Sequence, residues 1–100
     1  MTMNESKKKY KQMLSIVKVV IDRWDPYGLL DGGAPEDEFE NEIALVVAKV
    51  KRIRTEDDAA RVLSEVFSET FEPHLFTVEA CTQVGHELFH DLKKANFILD

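Results

Sequence analysis

The sequence holds one cysteine, Cys81, with only three prolines and four glycines. A lone cysteine cannot close an internal disulfide, which excludes a disulfide-stapled scaffold and points to a reducing compartment. So little proline and glycine argues against a disordered chain and leaves room for long regular elements. No apolar run approaches the ~20 residues of a membrane span. The opening MTMNESKKKYKQM has charges but no apolar run with a small-residue cleavage site behind it, so no signal peptide is expected. Bases are also in deficit, 13 against 19 acids, for a formal charge of −6. A phosphate-backbone binder needs a Lys/Arg surface to displace counterions, so nucleic acid is excluded as the expected partner. The expectation is a cytoplasmic protein with no membrane or nucleic-acid partner and no cofactor.

What is present is apolar residue at helical spacing. With 44% hydrophobic residues in a chain of 100, one domain spanning residues 1–100 can bury a core of its own. Tyr10, Met13, Leu14, Val17, Ile21 and Trp24 follow the i, i+3, i+4, i+7 pattern of a first helix, which Pro26 stops at Asp25. A second helix is expected to open at Pro35-Glu36-Asp37-Glu38 and to bury Phe39, Ile43, Val46, Val47, Val50 and Ile53. Thr55 reads as the N-cap of a third, burying Ala59, Val62, Leu63, Val66, Phe67 and Phe71. Thr77 reads as the cap of a fourth, with Cys81, Val84, Leu88, Leu92 and Ala95 inward. No stretch alternates as a half-buried strand does. The fold class is therefore all-α: a single-domain four-helix bundle with an ordered loop between its first two helices.

That loop, residues 25–34, holds three of the four glycines together with Tyr27, Leu29 and Leu30. Between Arg23 and Lys49 there is no base, while Asp25, Asp31, Glu36, Asp37, Glu38, Glu40 and Glu42 gather there. Lys7, Lys8, Lys9 and Lys11 form a basic end. Long loops in compact domains often carry function. Packing of the loop onto the bundle and solvation of the acids is the plainer reading. The functional one makes Tyr27, Leu29, Leu30, Asp31, Glu36, Asp37 and Glu38 a docking patch for a protein partner with a basic surface. The oligomeric state stays open, a homodimer included.

The one catalytic-looking string is His86-Glu87-Leu88-Phe89-His90, an H-E-x-x-H. On a helix this holds zinc between two imidazoles one turn apart, with the glutamate as general base. A third protein ligand is also required. After His90 the chain offers only Asp91, Asn96 and Asp100, and upstream His74 is the unconventional alternative. At ~100° per residue, His86 and His90 turn away from the stripe of Cys81, Val84, Leu88 and Leu92. They are therefore expected on a solvated face, with no catalytic residue assigned. A zinc-dependent hydrolase using His86, His90 and Glu87 remains the alternative. Cys81 lies on the inward stripe and reads as a core thiol, not a nucleophile.

Trp24-Asp25-Pro26-Tyr27-Gly28, followed by Glu38-Phe39-Glu40-Asn41-Glu42-Ile43, resembles the YugE-like family of small bacterial helical proteins, a domain of unknown function. The specific part of the resemblance is residues 24–43, and Leu29–Ala34 makes a longer segment than the family pattern. The resemblance implies a helical fold and brings no catalytic residues. A similar turn occurs in some bacterial immunity proteins, so neutralising a basic toxin is a special case of the interaction reading.

Overall fold

The four helical periods become four α-helices in the computed structural model, which describes residues 2–35 and 37–98 and, within these, all side chains except those of residues 2–6 and Tyr27. They are α1 (Thr2–Trp24), α2 (Glu40–Ala48), α3 (Glu56–Thr70) and α4 (Thr82–Lys94). Short 3₁₀ turns at Pro26–Gly28, Val50–Arg52 and Pro73–Leu75 join them, and no strand occurs among the described residues.

Each helix buries the stripe its spacing dictates. Val17, Val20 and Ile21 of α1 meet Ile43, Val46 and Val47 of α2, Val62, Leu63, Val66 and Phe67 of α3, and Val84, Leu88 and Leu92 of α4 in one core. Its widest part is aromatic. Phe67 lies 4.9 Å from Trp24 in edge-to-face geometry, 5.5 Å from Phe76 and 6.3 Å from Phe39 by ring centroids. Such pairs contribute roughly 0.5–1.5 kcal/mol each beyond the area they bury. The Phe76 carbonyl accepts from the Ser64 and Ser68 hydroxyls, at 2.6 and 3.2 Å, which ties the segment after α3 to that helix.

Phe39 touches Phe67 and Phe67 touches Trp24, so α2 begins beside the C-terminal end of α1 and runs back along it. Arg23 reaches Asp91 at 3.9 Å, and Ile16 shares a depression with Ala95, so α4 also runs antiparallel to α1. Both neighbours are much shorter than the 23 residues of α1. The N-terminal part of α1 consequently projects past the bundle, and residues 7–12 are all exposed.

Four expectations are corrected. Tyr10 has the right phase for the core but is 49% exposed, because the bundle ends before it. The α-helical part of α2 starts at Glu40, not Pro35; residues 37–39 form turns, and the first-turn acids are Glu40 and Glu42. Thr77 does cap, accepting from the Ala80 N–H at 3.1 Å, but it caps a turn that leads into α4 at Thr82. Phe89 is buried, so the inward face of α4 is wider than one stripe. Thr55 caps α3 as expected, in a full capping box with Asp58. Phe97 and Ile98 pack on the core and close the bundle end; Leu99 lies outside the described residues.

Candidate functional site

The loop after α1 is organised by one carboxylate. Asp25 sits in the left-handed region at φ 46°, which Asp tolerates better than most residues. Its two side-chain oxygens accept from the backbone N–H groups of Leu30 and Asp31, at 2.8 and 3.0 Å. That draws residues 29–31 back onto the end of α1. Leu29 and Leu30 are half-buried against the core and serve packing, so they do not form the free apolar patch on which the docking reading drew. Glu36 and the side chain of Tyr27 lie outside the described residues.

The acids remain on the surface. Asp31, Asp37, Glu38 and Glu40 are exposed. Asp37 and Glu40 form one rim of an open groove of about 460 Å³ between α1 and α2. Leu14, Ile43 and Ala44 contribute apolar surface to it, with Tyr10 and Lys18 along the α1 side. The groove runs between α1 and the first half of α2, a pairing of helices that no local pattern announces. Glu42 is the exception among these acids, only 5% exposed on the α3 side of α2. Burial pushes its carboxyl above the ordinary 4.5, against hydrogen bonds from its own backbone N–H and from Thr70, while the nearby charge of Glu38 raises it further.

The histidine pair is held by a residue that sequence reasoning did not find. Gly85 lets α4 approach α3 closely, since a Cβ there would fall 2.7 Å from the Ala60 nitrogen. Glu56, one turn before Ala60, then stands beside the histidines. Its Oε2 lies 3.0 Å from His86 Nδ1 and its Oε1 3.3 Å from His90 Nε2. His86 and His90 are exposed at 43% and 60% of their side-chain surface, in line with the expected outward facing. The third ligand sought downstream of His90 thus has a counterpart in a carboxylate 30 residues upstream of His86, brought there by tertiary packing. Each imidazole meets a different oxygen of the one carboxylate. Among the described residues no group of three or more His, Cys, Asp or Glu is arranged to hold a metal ion.

Glu87 faces elsewhere. It lines a cleft with Arg23 and Trp24 of α1, whereas His86 lines a depression with Arg54, Thr55 and Asp57. The glutamate and histidines of the motif therefore serve different flanks of α4. His74 lies near Glu72, at 3.5 Å, in the connection before α4. Cys81 is fully buried, and burial pushes its thiol up to about 11, as befits an inert core residue. No helix among the described residues is long and apolar enough to cross a membrane.

A family model matches residues 15–96, most of the chain. The chain belongs to the DUF1871 family, a domain of unknown function. The DUF1871 match takes in the Asp25 loop, the acidic start of α2, Glu56 and the histidine pair, and leaves the basic run at 7–11 outside. Neither a curated protein nor a solved structure matches the chain.

Proposed function

We propose that this DUF1871 chain, a YugE-like bacterial protein of the cytoplasm, is a non-catalytic protein-interaction module whose partner presents a basic surface. The observation that carries the reading is the groove between α1 and α2, with apolar surface from Leu14, Ile43 and Ala44 and an acidic rim of Asp37 and Glu40. Apolar surface beside an acidic rim on the α2 side suits a protein partner, the charges steering encounter and the apolar contact retaining it. The binding surface is thereby moved from the loop, where Leu29 and Leu30 are committed to packing, to the groove and its neighbours Asp31 and Glu38. An immunity protein facing a basic toxin is one member of this class.

The test is capture of partners by the native chain against a variant with Asp37, Glu38 and Glu40 reversed to lysine. Partners lost from the variant support the reading, and an unchanged set counts against it.

A zinc-dependent hydrolase using His86, His90 and Glu87 is the rival, and the observation in its favour is the convergence of both histidines on Glu56. Against it stands Glu87, which faces the α1 flank. Metal analysis of protein purified without a histidine tag separates the two. Stoichiometric zinc lost in His86→Ala supports the hydrolase.

A further inference from the structure

We draw no further inference here: the strongest candidate, the side-chain cluster in which Glu56 of α3 meets His86 and His90 of α4, belongs to the site already described, and its three side chains are not arranged to hold a metal ion.

Discussion

Gly85 of α4 lies against Ala60 of α3 so closely that a Cβ would come within 2.7 Å of the Ala60 nitrogen and 2.8 Å of its Cα. These are backbone atoms and cannot swing aside. Alanine is the better helix former by about 1 kcal/mol, yet Gly85→Ala is expected to destabilise the fold by roughly 1–3 kcal/mol, because the helices must separate. Urea denaturation measures the loss. Nuclear magnetic resonance should show the His86 and His90 ring signals moving as Glu56 is drawn away.

Asp25→Ala removes two charge-assisted bonds to the loop backbone and puts a Cβ-bearing residue without local hydrogen bonding into the left-handed region. The expected cost is about 2–4 kcal/mol, with the loop at 26–34 becoming the first site of limited proteolysis. Asp25→Asn should lose clearly less, since Asn tolerates this backbone and retains an acceptor. Equal losses for the two variants would mean that the carboxylate contacts contribute little.

Glu42 and Asp58 should respond to pH in opposite senses. The folded Glu42 carboxyl is raised by burial, so its contribution is present in full below the ordinary 4.5 and is lost as pH rises through the folded value. Glu42→Gln should therefore gain on the native chain as pH rises above the ordinary 4.5, with little difference at the acid end. Asp58 is lowered, first by the Arg54 N–H and then, against a desolvation cost larger than either Thr55 contribution, by the Thr55 backbone N–H, its hydroxyl and the Arg61 charge. Its contribution is present above 3.8 and disappears as pH falls through the folded value, so Asp58→Ala should matter at neutral pH and fade in acid. Denaturation midpoints across this range test both signs.

With its thiol pushed from 9.0 to about 11 and no solvent contact, Cys81 should resist thiol reagents in the native state. Thiolate at mild alkaline pH is about a hundredfold scarcer than for an unperturbed group, before access is counted. Labelling should therefore track unfolding, and prompt labelling of native protein would contradict the buried placement. Cys81→Ala should be tolerated far better than Leu88→Ala, which is expected to cost about 2–5 kcal/mol.

Helical periodicity made four helices and nearly the whole core legible, because one buried face per helix leaves a repeat that any reader of spacing can detect. The Thr55 cap was equally plain, since a capping box is local chemistry. What escaped was set by neighbours. Tyr10 has core phase, but phase says nothing about where adjacent helices end. Phe89 stands between two histidines, and the packing that buries it comes from tertiary neighbours rather than from its own spacing. Glu56 lies 30 residues from His86, too far for any spacing rule to connect them. The acidic start of α2 was legible as charge, whereas the groove it borders depends on how α1 and α2 pack side by side.

The projection of α1 divides one continuous helix into two thermodynamic parts. Val17, Val20 and Ile21 are fully buried, so hydrogen exchange of their amides should require opening of the whole domain. Those near residues 7–12 have only their own ladder, and a helix segment of that length without tertiary support is marginal in water. Exchange should fall off steeply along the helix from its free end to its docked end. The ordering cost left at that end is the amount that any binding event there must first offset.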